Sequence, residues 1–319
     1  MNFKEFIKLI FKCFSIAVIL IILLCLYPVF VEPNLLVVKH KTLYLPNWSE
    51  QHNGLKVAVL SDFHVNKWGI SPKKLKKVVS KTNAENADLI CLLGDLDSYL
   101  IEREKLDKKD LTNTLSKLKA KYGVISILGN HDYGPRVVKP ILKNAGITVL
   151  ENKRTVIWVN DEPIIIYGLK DLWQYSPKAK NVVKKDENVK SMILLSHNPD
   201  LFPDVPGFVS LTLSGHTHGG QICLPILGGI FTPSVWEQRY NKGYIVEDSK
   251  HLFVTSGLGF SIPIRFGNPP EIVILELYSQ DTYPNKVIKN TKELTGIRRS
   301  LNSWGMEIST KVLNYVKDL

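Results

Sequence analysis

The sequence predicts an α/β fold of four layers, an αββα sandwich in which two mixed β-sheets lie between helices, preceded by an N-terminal transmembrane helix. Three observations predict it. Five short apolar runs, LKVAVL, DLICLL, VISIL, SMILL and VSLTL, each stop abruptly in Gly, Ser, Asp, Asn or His. Runs of that length, bounded by polar residues, read as strands buried on both faces, the interior strands of an α/β sheet. Amphipathic segments separate them, and an uncharged apolar stretch over residues 13–31 precedes them all.

The elements follow in chain order. Residues 13–31 read CFSIAVILIILLCLYPVFV, which at about 1.5 Å per residue nearly matches a hydrocarbon core about 30 Å thick. A secretory signal would have a shorter apolar core and a small-residue cleavage site, so residues 1–34 are read as an uncleaved anchor in the cell (inner) membrane. Lys4, Lys8 and Lys12 precede it and Lys39 and Lys41 follow it. That bias toward a cytoplasmic N-terminus is slight, and the side occupied by the rest of the chain stays open. Residues 35–53 form a linker or edge strand, with alternation over 35–44. The soluble body, 54–278, opens with the first apolar run. Over 71–82, Leu75, Val78 and Val79 share one side and Lys73, Lys74, Lys77 and Lys81 the other, a helix packed on a sheet. Further helices are expected over 111–121 and 135–145. Beyond His218, strands punctuated by Gly and Pro over 243–247, 251–255 and 271–278 predict a more antiparallel second half. In the extension 279–319, Ile297, Leu301, Trp304, Ile308, Val312 and Val316 recur at helical spacing among Lys292, Arg298, Arg299 and Lys311. This is an amphipathic helix, lying on the domain or on the membrane.

Composition narrows the function. A chain of 319 residues, 45% hydrophobic and 22% charged, is neither disordered nor fibrous. Lys+Arg 41 against Asp+Glu 30 leaves a net charge of +11, which favours phosphates, nucleic acid or an acidic membrane surface as partners. No aromatic-interleaved basic motif accompanies it, so nucleic acid is disfavoured. Cys13, Cys25, Cys91 and Cys223 form no CxxC pair and no disulfide framework.

In open α/β sheets, ligands bind at the carboxyl ends of the strands. All five polar clusters sit there, and five of the 8 histidines fall inside them: His64, His131, His197, His216 and His218. Carboxylate, imidazole and amide oxygen together suit Mn, Fe, Zn, Co or Ni. Asp62, His64, Asp95, Asn130, His197, His216 and His218 are too many ligands for one ion with open positions. Two ions about 3.5–4 Å apart, sharing one carboxylate, would use them all and clamp the attacking and leaving oxygens of a phosphoryl displacement. Taken singly, Asp62 or Asp95 would read as a helix N-cap and His197 as a hydrogen-bonded core histidine.

Asp62-Phe63-His64, Gly94-Asp95, Gly129-Asn130-His131-Asp132, His197 and Gly215-His216-Thr217-His218 resemble, in order, the D-x-H, G-D, G-N-H-[DE], H and G-H-x-H blocks of the calcineurin-like metallophosphoesterases. The surrounding words 196–200 and 215–221, with Arg265-Phe266 and Pro269-Pro270-Glu271, resemble the membrane-associated bacterial phosphodiesterase branch. The resemblance covers roughly 54–278 and implies a metallophosphoesterase catalytic domain there. It implies that Asp62, His64, Asp95 and His218 bind one divalent ion and Asp95, Asn130, His197 and His216 the other, with Mn, Zn or Fe as the metals. His131 would face the substrate as the acid for the leaving group or as a transition-state stabiliser, with Asp132 orienting its ring. A bridging hydroxide would be the nucleophile, without a covalent enzyme intermediate. Relatives often carry G-D-x-x-D at the second block; here Asp97 and Ser98 stand instead, and Asp97 is given no metal. Residues 99–110 and 173–190 flank these loops, where substrate-selecting caps would sit.

The expected function is therefore a membrane-anchored, dinuclear-metal phosphoesterase acting on phosphodiester or pyrophosphate bonds of a phosphorylated, lipid-linked or nucleotide-linked substrate. The alternatives are a UDP-2,3-diacylglucosamine pyrophosphatase of lipid A synthesis and a phosphomonoesterase. A non-enzymatic scaffold with a vestigial site would be expected to have lost a ligand, and none is lost.

Overall fold

The structure, a computed structural model, describes residues 2–67, 69–98, 103–134, 137–175, 178–224, 228–260 and 263–286. It opens on α1 (Phe3–Leu26), where the Asn2 side chain accepts from the Glu5 amide and the Glu5 carboxylate accepts from the Asn2 amide. This reciprocal cap satisfies two of the helix's free N–H groups. No residue of α1 is buried. Helical turns continue it to Asn34, and Phe3–Asn34, whose most apolar 18-residue stretch has mean hydropathy 3.0, is long and apolar enough to cross a membrane.

The body follows as β1 (Val37–Leu45), β2 (Leu55–Leu60), α2 (Pro72–Ala84), β3 (Leu89–Leu92), α3 (Lys108–Leu115), β4 (Val124–Ser126), α4 (Val138–Asn144) and β5 (Thr148–Val149). Then come β6 (Lys153–Val159), β7 (Glu162–Gly168), α5 (Leu172–Tyr175), α6 (Ala179–Val182), β8 (Ser191–Leu195) and β9 (Leu211–Ser214). The chain closes with β10 (Cys223–Leu224), β11 (Gly228–Gly229), β12 (Gly243–Glu247), β13 (Lys250–Val254) and β14 (Glu271–Ser279). One six-stranded sheet has the order β1-β14-β2-β3-β4-β5 and the other β12-β13-β9-β8-β7-β6.

Alternation along the strands builds the four layers. Val57 and Val59 of β2 meet Ile193 and Leu195 of β8 in a core between the sheets. Ala58 and Leu60 face outward onto α2, α3 and α4 through Leu75, Leu111 and Ile141. Met192 and Leu194 face the opposite outer layer, which includes Ala179 and Phe202. At about 1.5–3 kcal/mol for each fully buried aliphatic side chain, these three clusters dominate the stability.

Tertiary contacts move several boundaries. Ser71 caps α2 by accepting from the Lys74 amide, with Pro72 in its first turn. α3 stops at Leu115, short of 121, because Asn83 on α2 accepts from the Lys119 amide and donates to the Lys117 carbonyl, holding that segment as a turn. α4 begins at Val138, and residues 135 and 136 lie outside the described set. The second sheet is less antiparallel than expected: β13, β9, β8 and β7 are parallel neighbours, and only the edge pairs β12–β13 and β6–β7 are antiparallel. β14 leaves that half altogether and joins the first sheet between β1 and β2. The unanticipated β6–β7 hairpin carries a legible signal, since Asn160 and Asp161 take left-handed φ values of 49° and 63° in a two-residue turn. Of the 279–319 extension, residues 287–319 lie outside the described residues, so its amphipathic helix is not part of this description.

Candidate metal centre

The loops following β2, β3, β4, β8 and β9 converge at the carboxyl ends of the two sheets. The chain turns there through backbone conformations that L-residues rarely adopt. Asp62, His64, Asp95, His216 and His218 have φ of 53°, 43°, 53°, 68° and 50°. Such conformations cost about 1–3 kcal/mol each and persist only where surrounding contacts enforce them. One enforcing contact is glycine on glycine. Gly94 has φ +96°, a Cβ there would strike the Gly129 backbone, and a Cβ on Gly129 would strike Asp95 and the His197 ring. Only two glycines let the β3 and β4 loops close on each other.

Asp95 stands at the centre. Its Oδ1 accepts from the His131 backbone amide at 2.9 Å. That leaves Oδ2 facing His64 Nε2 at 3.6 Å and His197 Nε2 at 3.3 Å. On one side, His64 Nε2 lies 3.1 Å from His218 Nε2, which lies 3.7 Å from Asp62 Oδ1. On the other, His197 Nε2 lies 3.1 Å from Asn130 Oδ1, and the His216 ring is 5.1 Å from that of His197. One ligand atom from each of Asp62, His64 and His218, and one from each of Asp95, His197 and His216, form two groups, each within 4.8 Å of one another, and His64, Asp95 and His131 form a third. The seven residues singled out in the sequence thus meet in one buried place. His131 borders it, its ring 4.9 Å from that of His64 and edge-on to it.

Both outer contacts and unmet valences suit divalent ions. His197 Nδ1 donates to the Leu93 carbonyl at 2.7 Å, which turns Nε2 toward Asp95 and Asn130. Asp62 accepts from the His216 amide with both oxygens at 3.1 Å. His216 Nε2 is buried without a hydrogen-bond partner, and two imidazole Nε2 atoms face each other across 3.1 Å. Nitrogen lone pairs aimed at one another and at carboxylates, without thiolate, match Mn, Fe or Zn chemistry.

Burial shapes the protonation states. It pushes Asp62 up to about 6, holds His64 and His216 down at about 3, and keeps His218 well below the usual imidazole range. His197 goes the other way: burial opposes its charge, but Asp95 beside it lifts it to about 10. Asp95, despite burial, is held well below the usual carboxylate range by His197.

Asp132, which the resemblance gave to the His131 ring, accepts hydrogen bonds from backbone amides. Its Oδ2 accepts from the amides of Asp95 at 2.7 Å and Gly129 at 2.9 Å, and its Oδ1 accepts from the Asp97 amide at 3.1 Å. It staples the β3 and β4 loops together. Its carboxyl is raised to about 7 by burial and the neighbouring Asp95 charge.

Further contributors escaped the sequence reading. Asp171, buried after β7, has an Oδ2 without a hydrogen-bond partner, and Trp173 lies edge-on to His216 with ring centroids 4.7 Å apart. Glu32, at the end of the helical N-terminal segment, accepts from the amides of Gly267 and Asn268, and Asn268 donates through Nδ2 to the His218 carbonyl. Asp171 follows a strand end as the other site acids do, and Glu32 is an acid closing an uncharged stretch. Arg265, fully buried, donates to the carbonyls of Ser256, Gly259 and Asn268 and shapes the same loop.

Residues 55–220 match the calcineurin-like phosphoesterase family. The chain belongs to that family. Among its relatives, the uncharacterized metallophosphoesterase YkuE of Bacillus subtilis is 32% identical over 79% of this chain and 89% of its own. The phosphodiesterase YaeI of Escherichia coli is 31% identical over 70% of this chain and 82% of its own. UDP-2,3-diacylglucosamine pyrophosphatase LpxG of Chlamydia trachomatis is 28% identical over 76% of this chain and 90% of its own. As a calcineurin-like phosphoesterase, the protein is a metal-dependent phosphoric ester hydrolase.

Proposed function

We propose that this phosphoesterase is anchored in a membrane by its N-terminal helix and hydrolyses phosphodiester or pyrophosphate bonds of an amphiphilic, lipid-linked or nucleotide-linked substrate. The observation that carries the site assignment is Asp95, whose Oδ2 faces His64 on one side and His197 on the other while Oδ1 is tied to backbone. Asp62, His64, Asp95 and His218 would hold one ion, and Asp95, Asn130, His197 and His216 the second. Two such ions supply a nucleophilic water at neutral pH and neutralise charge on the phosphoryl oxygens. His131, partly exposed at the edge of the cluster, is the group of this chain suited to give a proton to the leaving oxygen. Asp132 acts on Asp95 through the backbone, and His197 is oriented through Leu93.

An apolar helix of this length and a net charge of +11 suit an anionic substrate at a bilayer surface. Similarity to LpxG supports a second reading, in which the bond cleaved is the pyrophosphate of UDP-diacylglucosamine. The test is hydrolysis by the full chain in detergent micelles, supplied with Mn, Zn or Fe, of a bis-aryl phosphodiester, an aryl phosphomonoester and UDP-diacylglucosamine. Turnover of the diester that a chelator abolishes and metal restores is expected. Turnover of the nucleotide lipid alone would select the second reading, and turnover of the monoester alone would make the protein a phosphatase.

A further inference from the structure

Outside the N-terminal helical segment, large exposed apolar side chains concentrate in one loop. Among the described residues, Ile230 and Phe231 are 63% and 52% exposed, and Val235 is 80% exposed, with Trp236 beside it. The others among the described residues are spread over the chain: Leu35 and Tyr283, Val156 and Trp158 on the edge strand β6, and Trp173 and Tyr175 on α5. A soluble surface gains nothing from holding four such side chains together in water.

The loop joins two places. At one end it is tied to the foot of the N-terminal helix: Ile230 donates to the Ile222 carbonyl, Ile222 bridges to Phe266, and the Phe266 ring meets Tyr27 edge-on at 6.3 Å. The Arg265 amide donates to the Pro28 carbonyl at 2.8 Å, and Glu32 holds the amides of Gly267 and Asn268. At the other end it reaches the metal centre. Asp200, three residues beyond His197, accepts from the Val235 amide at 3.0 Å. The Trp236 indole N–H donates to the Asp200 carbonyl. Exposed Phe30 and Val31 continue the apolar surface from the helix itself.

We infer that the 230–236 loop is a second membrane contact, seated in the bilayer interface beside the N-terminal helix, so that the metal centre opens along the lipid surface. This rests on the proposed anchoring. The occupant is the bilayer because the patch is continuous with the segment that would span it. Trp236 in the loop and Tyr27 at the foot of the helix are the amphipathic rings that favour the headgroup region. A substrate with its acyl part in the membrane would then reach the site without leaving the lipid, while a soluble diester would gain nothing from the loop.

The test uses the full chain in phosphatidylethanolamine–phosphatidylglycerol nanodiscs. A nitroxide is placed at Val235→Cys in a C13A/C25A background, since Cys91 and Cys223 are buried. Greater relaxation by oxygen than by a nickel chelate is expected at 235, and the reverse would overturn the contact. Alongside, Phe231→Asp and Val235→Asp should leave turnover of a soluble aryl diester within about twofold and lower turnover of a bilayer-embedded phosphodiester by roughly tenfold. Equal effects on both substrates would overturn it as well. Alkaline carbonate extraction of wild-type chain from vesicles reads the anchor separately. If the chain is extracted, or if neither substrate turns over, the functional reading fails while the nitroxide still decides the loop.

Discussion

His197 and His64, one from each half of the metal centre, put the same side chain to opposite effect. On the His197 side, Nδ1 is bonded to the Leu93 carbonyl and Nε2 faces Asp95 and Asn130, so the imidazole is lifted to about 10 and the half is pre-arranged by hydrogen bonds. On the His64 side, two Nε2 atoms face each other, and burial keeps His64 down at about 3 and His218 well below its usual range. His197 forms a satisfied ion pair with Asp95, while His216 in the same half keeps a buried Nε2 without a hydrogen-bond partner. The His64 side is a set of buried acceptors that only a cation reconciles. Burial alone therefore does not determine an imidazole's charge: the nearest carboxylate oxygen and the partner on the second nitrogen decide it.

Asp95 belongs to both halves, so its loss should be the largest effect. Asp95→Asn is expected to lower turnover by about 1,000-fold or more, because several kcal/mol of charge stabilisation go with it at about 1.4 kcal/mol per tenfold. Metal analysis should show fewer bound ions, and full turnover with two ions would remove the bridging role. His131→Asn comes next, with turnover down by about 100-fold or more and ion content unchanged. Asp132→Asn should behave differently from its neighbour. It weakens metal affinity by about 10–100-fold through the Asp95 loop. If instead it lowered turnover with metal affinity intact, its carboxylate would be acting on His131 after all.

The opposite protonation of His64 and His197 can be read from stability in metal-free protein. His64 is held at about 3 against an ordinary 6.5, so keeping it neutral costs nothing above pH 6.5 and costs more as pH falls toward 3. His64→Asn should therefore gain stability relative to wild type as pH is lowered through that window. His197, lifted from 6.5 to about 10, contributes fully below pH 6.5 and loses that contribution as pH rises through 10. His197→Asn should thus cost most at low pH and least at high pH, as followed by urea titrations in chelator. Parallel pH trends for the two variants would mean that the two imidazoles are electrostatically alike. The smallest expected effect is at Glu32. Glu32→Gln keeps one acceptor for the 267–268 amides and should weaken metal affinity by about tenfold at most, on the His218 side only.

Much of this was legible before the fold was seen. The D-x-H, G-D, G-N-H-D, H and G-H-x-H blocks each follow an apolar strand, so strand-end geometry alone gathers Asp62, Asp95, Asn130, His197 and His216 at one end of the sheets. α2 was legible because its caps and its apolar face are local. The end of α3 was not, since Asn83 from another helix intercepts it. The placement of β14 was not legible either, because joining β1 and β2 depends on contacts far apart in sequence.

By itself the sequence determined the inventory: which side chains could ligate, where strands end, and that an apolar segment precedes the body. These are local properties, set by residue type, periodicity and caps. Only the tertiary structure decided which oxygen of Asp95 faces which imidazole, that Asp132 accepts from the backbone of two loops, and that Glu32 reaches the 267–268 segment, whose Asn268 holds the His218 carbonyl. Those outcomes depend on which unpaired donors and acceptors from distant loops find each other on burial, and no local pattern encodes that pairing.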